Sequence, residues 1–295
     1  MGEVDLPIVC CIVVNWNAYA DTLKCLRSLS TTEYSHLSPI VVDNGSKDQS
    51  VAQIRAAYPQ IELIESPTNM GFGAGNNLGI RRAFQLGAKY IWLLNNDTEV
   101  EPDTAAAMVS LCEGNPALGQ VGSVLYYANA PSKVQAWGGG RINFWLGTSH
   151  HFTEPVPWNH LDFITAASAL IPVHVLEDVG LFDEAYFMYW EDTDLSFRIR
   201  RAGWRLGVAQ NAHVLHKEGA SSRRNSPQFD QYVTVSGLRF AAQHSPVPSW
   251  TRFMMLFGRA LHRFLKGEWR RGWAILACAL SGSGKSQMSS RIGST

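Results

Sequence analysis

Three apolar runs in this chain end on Asp or Asn: Ile8 to Val14 is followed by Asn15, Pro39 to Val42 by Asp43, and Tyr90 to Leu94 by Asn95-Asn96-Asp97. Short continuous apolar runs of this kind read as strands buried on both faces. A further strand is expected at Ile61 to Ile64. Helical spacing fills the intervals at Ala18 to Leu29, after Ser46 with Asp48 in its first turn, and from Gly73 to Leu86. Alternation of strand and helix predicts an α/β chain with a parallel sheet covered on both faces. All such strands point the same way, so their polar ends collect at one edge, where open α/β sheets bind ligands.

At 295 residues the chain can bury a full core. Lys+Arg and Asp+Glu are both 25, so no net field draws it to nucleic acid, which is excluded as a partner. Five cysteines (Cys10, Cys11, Cys25, Cys112 and Cys278) lie in apolar runs without a Cys-x-x-Cys pair, and read as buried thiols of a reducing compartment. The N-terminus, Met1-Gly2-Glu3-Val4-Asp5, is acidic and lacks the basic and apolar regions of a signal peptide. No window reaches the roughly 18 apolar residues of a spanning helix. A cytoplasmic protein, peripheral on the inner face of the plasma membrane, is expected.

From Gly119 the pattern changes. Val121 to Leu125 reads as a strand, and the Gly-, Trp- and Pro-rich stretch through Trp158 predicts loops and short antiparallel strands. Phe163 to Ile171 and Leu206 to Ala209 read as strands, and Glu191 to Ala202 as a helix stopped by Gly203. After Pro246, Trp250, Phe253, Leu256, Phe257, Leu261, Phe264 and Leu265 alternate with Arg252, Arg259, Arg263 and Lys266, the pattern of an amphipathic basic helix suited to anionic lipid. A face packed on the catalytic domain or on a second subunit gives the same spacing, so a homodimer stays open. These shifts predict a catalytic domain over 1–245, with a nucleotide-binding half at 1–125 and an acceptor-binding half at 126–245. A helical segment follows at 246–295.

Each polar cluster has a structural and a chemical reading. Asp43 before Asn44-Gly45-Ser46 suits an Asx-turn or an acceptor for the donors of a base or ribose. Asn69-Met70-Gly71-Phe72-Gly73-Ala74-Gly75 brings backbone and a helix N-terminus close to a phosphate, but its G-x-G-x-G spacing is not the dinucleotide fingerprint. Asp97 suits a turn or helix entry, or a hard cation that takes one or two carboxylates plus phosphate oxygens. Glu191 and Asp192 open a helix whose dipole favours ionised carboxylates, and such a group can accept a proton from a hydroxyl; Asp194 and Arg198 form a structural i,i+4 pair. His213 and His216 follow a strand, and a neutral imidazole is a fair cation ligand. Ser281 to Ser286 ends like a P-loop, but Ala279 stands where its first glycine belongs, and the match is rejected.

Val13-Val14-Asn15-Trp16-Asn17, Val42-Asp43-Asn44-Gly45-Ser46-Lys47-Asp48, Asn69-Met70-Gly71-Phe72, Leu94-Asn95-Asn96-Asp97, Gly180-Leu181-Phe182-Asp183-Glu184, Trp190-Glu191-Asp192-Thr193-Asp194 and His216-Lys217 follow one another in order. Together they resemble the signature of family 2 glycosyltransferases of the GT-A fold, most closely the bacterial rhamnosyltransferase-type branch, over about residues 7 to 222. The resemblance implies a mostly parallel Rossmann-like sheet with helices on both faces, and C-terminal amphipathic helices beyond it. It implies inverting, metal-dependent transfer from a nucleoside diphosphate sugar, dTDP- or UDP-linked, with L-rhamnose from dTDP-rhamnose the first choice. The acceptor it implies is a glycan or a polyprenyl-diphosphate-linked sugar of cell-surface polysaccharide synthesis.

Carried over by position, Asn15, Trp16 and Asp43 hold base and ribose, and Asn69, Gly71 and Asn77 line the nucleotide pocket with Val14, Asn44, Asn95 and Asn96. Asp97 and His216 hold Mg²⁺ or Mn²⁺. Asp192 is the base, supported by Glu191, and Thr165, Ala166 and Trp190 lie on the acceptor side. Two positions depart from the family pattern: Asn95 replaces the first carboxylate of D-x-D, and Ala166 stands where relatives have Gly. Two alternatives share such a fold. A nucleotide-sugar-binding pseudoenzyme would not need Asp192 as a base, and a nucleotidyltransferase needs a Gly-rich basic loop where this chain has Asn15-Trp16-Asn17-Ala18.

Overall fold

The computed structural model of the protein describes residues 6–217 and 226–279; the acidic start at 1–5 and the P-loop-like run at 281–286 lie outside them. The alternation read from sequence is present as β1 (Val9–Asn15), α1 (Tyr19–Leu29), β2 (Leu37–Asp43), α2 (Ser50–Ala57), β3 (Glu62–Glu65), α3 (Phe72–Gln85) and β4 (Tyr90–Asn95). Successive strand residues point to opposite faces. Val9, Cys11 and Val13 of β1 therefore enter one apolar core with Cys25, Leu26 and Leu29 of α1. Cys10 and Ile12 enter the other with Ile80 and Ala83 of α3. Burial on both faces is why the run carries no polar alternation. Cys10, Cys11, Cys25 and Cys112 are buried free thiols as expected, whereas Cys278 is only half-buried. Gly79 lets α3 lie against β1, because a Cβ there would come within 2.5 Å of the Ile12 side chain.

The chain continues through β5 (Thr98–Val100), α4 (Thr104–Gly114), β6 (Leu118–Tyr127), β7 (Ala130–Trp137), β8 (Gly139–Asn143), β9 (Thr148–His151), β10 (Phe163–Ile164) and β11 (Ser168–Pro172). After these come α5 (Val173–Val179), α6 (Glu191–Arg201), β12 (Arg205–His216), α7 (Pro227–His244), α8 (Pro248–Leu265) and α9 (Trp269–Ala277). The main sheet runs β3-β2-β1-β4-β11-β6-β12-β5, with β7 beside β6. Six of its nine strands point one way; β5, β7 and β11 run against them. Chain order reverses between β1 and β4, whose ends are in register with that of β2, Asn15 beside Asp43 and Val14 beside Asn95. Such a reversal opens a crevice at the carboxyl edge.

Three expectations are corrected. Phe163 to Ile171 is two strands: β10 joins a small sheet with β8 and β9, and β11 enters the main sheet. The break at 165–167 frees the Ala166 N–H, which turns to Asp192. Asp97-Thr98 opens the short strand β5, paired to the end of β12, and not a helix. Strand β12 is far longer than Leu206 to Ala209 and contains both histidines; a register shift between Ala209 and His213 accommodates it.

Beyond β12, Ser226 caps α7 by accepting the Phe229 N–H at 3.1 Å, with Pro227 in the first turn. Helices α7, α8 and α9 pack on one another. Buried Asp230 of α7 ties them, bonded to Arg263 of α8 at 2.7 Å and Arg271 of α9 at 2.6 Å. This corrects the expected charge pattern: Arg263 is buried on Asp230, and Arg259 turns toward it, leaving Arg252 and Lys266 exposed. Desolvating a guanidinium demands a carboxylate partner, and Asp230 supplies it. Of the expected apolar face, Trp250, Phe253, Phe257, Leu261 and Leu265 are exposed, whereas Leu256 and Phe264 are half-buried, Phe264 against Trp269 and Trp273 of α9.

Candidate active site

The strand ends meet at a cleft of about 880 Å³. Val14, Trp16, Asn44, Asn69, Asn95, Asn96 and Asp97 line it, and so do Thr165, Ala166, Trp190, Glu191, Asp192 and His216. Asn15, Asp43, Gly71 and Asn77 do not. They stand behind the wall with their groups engaged inside the protein. Asn96 donates to Thr22 Oγ1 (3.0 Å), Thr22 Oγ1 to Asn15 Oδ1 (2.7 Å), and Asn15 Nδ2 to Asp43 Oδ2 (2.8 Å). The Ser46 N–H closes the chain on Asp43 Oδ1 at 2.9 Å, the Asx-turn reading of that residue. This relay joins α1 to the ends of β1, β2 and β4 and gives the cleft a stiff floor.

Asn44 and Asn69 edge the cleft beside it: Asn44 Nδ2 donates to Asn69 Oδ1 and to the Gly71 carbonyl. Gly71 has φ +92°, and a Cβ there would sit 2.2 Å from the Phe187 carbonyl oxygen, so its glycine serves that close approach. Asn77 clamps α3 to the following lobe, donating to Phe182 O and Glu184 Oε1 and accepting the Phe182 N–H.

Asp97 and His216 come together because β5 pairs with β12: His216 Nε2 lies 3.2 Å from Asp97 Oδ1, both side chains nearly buried. The other imidazole nitrogen, Nδ1, faces Gln135 Oε1 at 2.7 Å. A proton on Nδ1 serves that bond and leaves the Nε2 lone pair directed at the carboxylate and at the Asn95 amide, 3.3 Å away. An acceptor facing a carboxylate at this distance fits a cation between or beside them. Among the described residues no third His, Cys, Asp or Glu joins the pair. The donor set is one carboxylate and one imidazole, as Mg²⁺ or Mn²⁺ uses when substrate phosphates complete the shell. Gln135 was invisible to sequence reading, since nothing local marks it. His213 is elsewhere, on Glu101 and the Gln210 carbonyl.

Asp192 opens α6. Its Oδ1 accepts the Thr193 N–H at 2.7 Å and its Oδ2 the Ala166 N–H at 3.1 Å. Ala166 thus positions the carboxylate through its backbone, which an alanine does as well as a glycine. Tyr189 and Trp190, just before, have φ of 68° and 70°, the left-handed region that non-glycine residues occupy at a cost of about 1–3 kcal/mol each. Packing holds them there: Trp190 stacks on Phe240 of α7 at 4.9 Å. Asp194 binds Arg198 at 2.9 Å, as the i,i+4 spacing predicts, and also His244 of α7 at 2.7 Å.

Glu191 departs from the expectation of an ionised pair. It is buried with Oε2 unpartnered, and burial, then the neighbouring Asp192, push its carboxyl well above the usual range. Proximity of a like charge and loss of water both favour the neutral acid, outweighing the helix dipole. An unfolded Glu ionises near about pH 4.3, whereas this one holds its proton to higher pH. Its contribution to stability is therefore complete below about pH 4.3 and declines as pH rises toward the folded value. Glu191→Gln, neutral throughout, is expected to melt above the wild type at pH 8 and level with it near pH 4. A melting difference that does not change with pH would overturn this protonation state.

The sequence model described as glycosyl transferase family 2 matches residues 10–180. The chain belongs to that family. A Mycobacterium tuberculosis N-acetylglucosaminyl-diphospho-decaprenol L-rhamnosyltransferase is 26% identical over 250 residues, 75% of this chain and 78% of that protein. The galactofuranosyltransferase GlfT1 of Mycolicibacterium smegmatis is 24% identical over 283 residues, 91% and 90% of the two chains. Among solved structures, a Pyrobaculum calidifontis mannosyltransferase in complex with GDP-Man and Mn²⁺ superposes at TM-score 0.60 with 18% identity, covering 95% of this chain and 77% of that one. GalNAc-T7 with UDP, GalNAc and Mn²⁺ reaches 0.65 at 13% identity, over 84% and 50%. This glycosyltransferase therefore has the GT-A fold that its motifs imply, and the rhamnosyltransferase-type resemblance agrees with its relatives.

Proposed function

We propose that the protein transfers a sugar, with inversion, from a nucleoside diphosphate donor to a hydroxyl of a glycan or lipid-linked acceptor. The observation that carries this reading is that Asp192 and the Asp97–His216 pair line one cleft. A base and a seat for the leaving diphosphate are the two requirements of such a displacement. Asp192 takes the proton of the attacking hydroxyl while that oxygen bonds the anomeric carbon and the bond from that carbon to the diphosphate oxygen breaks. The nucleoside diphosphate leaves with the electron pair. Asp97 Oδ1 and His216 Nε2 would hold Mg²⁺ or Mn²⁺, which when bound supplies positive charge to the leaving diphosphate. Neutral Glu191 limits the negative charge beside the base. Trp16, Asn44 and Asn69 border the nucleotide, and Thr165, Ala166 and Trp190 the acceptor.

dTDP-L-rhamnose is the first donor to test and UDP-sugars the second. A diphosphate-linked prenyl glycan is the first acceptor, because the rhamnosyltransferase relative is named for one. Acceptor-dependent release of nucleoside diphosphate tests the transferase reading. Pyrophosphate release would point to a nucleotidyltransferase instead, and donor binding without turnover to a pseudoenzyme.

The same reading places the enzyme on a bilayer surface. No helix among the described residues is long and apolar enough to cross a membrane. On α8, Trp250, Phe253, Phe257, Leu261 and Leu265 fall at i, i+3, i+7, i+11 and i+15, one exposed stripe, and Trp269 and Trp273 of α9 are exposed as well. Arg252 of α8, Lys266 just beyond it and Arg270 of α9 are exposed cations. Each is worth about 1 kcal/mol against anionic lipid, which suits reversible attachment to the cytoplasmic leaflet. The full chain is expected to float with anionic vesicles, and a Phe253→Asp/Phe257→Asp variant to stay behind. Equal flotation of the two would reject this contact.

A further inference from the structure

Three arginines surround Asp230, and they are not held alike. Arg263 and Arg271 bond it at 2.7 and 2.6 Å, and both also reach Glu268, at 2.9 and 3.2 Å. Arg259 approaches Asp230 only to 3.5 Å, with its Nε on Thr234 Oγ1 at 3.1 Å. Among the described residues three guanidiniums thus share two carboxylates, an excess of positive charge. The most loosely held of the three lines the cleft that contains Asp192. Arg259 has five N–H donors, and one bond and one long contact do not use them all. Burial, the largest influence on it, holds its guanidinium below the usual arginine range, the mark of a cation short of compensation.

The surroundings narrow what it would bind. Phe229, Val233 and Met255 line the cleft beside it, so an anionic group here has apolar neighbours. Met255 and Arg259 are four residues apart on α8 and share a helix face. The exposed stripe of Phe253, Phe257 and Leu261 lies on the opposite side, about one helix diameter, or ~10 Å, away.

We infer that Arg259 binds the phosphate groups of a lipid-linked acceptor, steering its sugar hydroxyl to Asp192 while Phe229, Val233 and Met255 border the lipid. The inference rests on the transferase reading and adds to it the residue that holds the acceptor's phosphates, Arg259, at the α8 wall of the cleft. Arginine suits phosphate because its planar fork can donate two parallel hydrogen bonds. The donor's diphosphate is the other source of the same chemistry, and it belongs beside Asp97 and His216.

Farnesyl diphosphate and farnesol are titrated against the full chain, with and without saturating UDP or dTDP and Mn²⁺, following tryptophan fluorescence. With the nucleotide in place, the diphosphate is expected to bind the wild type at least about tenfold tighter than farnesol. Arg259→Ala should remove that difference and Arg259→Lys keep part of it, both with nucleotide affinity unchanged. Asp230 keeps Arg263 and Arg271 in the alanine variant, so the helices stay tied. Wild-type affinity of Arg259→Ala for farnesyl diphosphate would overturn the assignment. So would a parallel loss of nucleotide affinity, which makes Arg259 a donor contact. Failure of the wild type to bind nucleotide counts against the transferase reading, and is seen separately in the same titration.

Discussion

Asp192→Asn is expected to lower turnover by about 10²- to 10⁴-fold, the usual loss when a general base is removed. The amide keeps the shape of the carboxylate and one of its two backbone bonds, to Thr193 or to Ala166. It cannot take a proton. Donor binding should stay near wild type, because the side of the cleft proposed to hold the nucleotide is built by β1, β2 and β4, well apart in sequence from α6. Single-turnover transfer and nucleotide titration, measured on the same preparation, separate the two effects. Turnover within a few-fold of wild type would remove Asp192 from the chemistry.

The second large effect concerns the pair at the end of β12. Asp97→Ala is expected to weaken Mn²⁺-dependent nucleotide binding by more than the 10- to 100-fold typical of losing a group that only orients a metal ligand. His216→Ala should act in the same direction. Gln135→Ala, which frees the imidazole proton and its orientation, should fall nearer that 10- to 100-fold range. Chelation with EDTA should abolish wild-type transfer, with recovery on adding Mg²⁺ or Mn²⁺. Full activity in EDTA would return Asp97 to the turn chemistry that its sequence equally allows.

The half of the site that was legible is the half written locally. Asn15, Asp43 and Asn95 each follow an apolar run long enough to declare a buried strand, and parallel strands put their ends at one edge whatever else the chain does. Glu191 and Asp192 were marked by the helix they open. What sequence could not tell is which polar groups face the cleft and which are spent holding its floor, since Asp43 and Asp97 look alike in one dimension. The ionisation of Glu191 was misread because the helix dipole is visible in sequence and desolvation is not. Helical spacing alone sets Arg259 and Arg263 among the lipid-facing cations, because their partner, Asp230, sits on another helix, α7, marked in sequence only by its Ser226-Pro227 start. The break at 165–167 was hidden because Thr165, Ala166 and Ala167 are as compatible with a strand as with the turn that feeds a backbone N–H to Asp192.

The pairing of β5 with β12 also sets a clock. Asn95, at the end of β4 just before β5, and His216, at the end of β12, are 121 residues apart, and synthesis at about 5–20 residues per second separates their emergence by roughly 6–24 s. During that interval β1 to β4 can already associate through neighbouring segments, but β12 has yet to enter between β6 and β5. Closing so long a loop is entropically slow compared with the βα units that precede it. The nascent chain therefore has the strand ends proposed to border the nucleotide before it has the Asp97–His216 pair proposed to serve the leaving group, and that pair is completed by one of the last strands to be laid down.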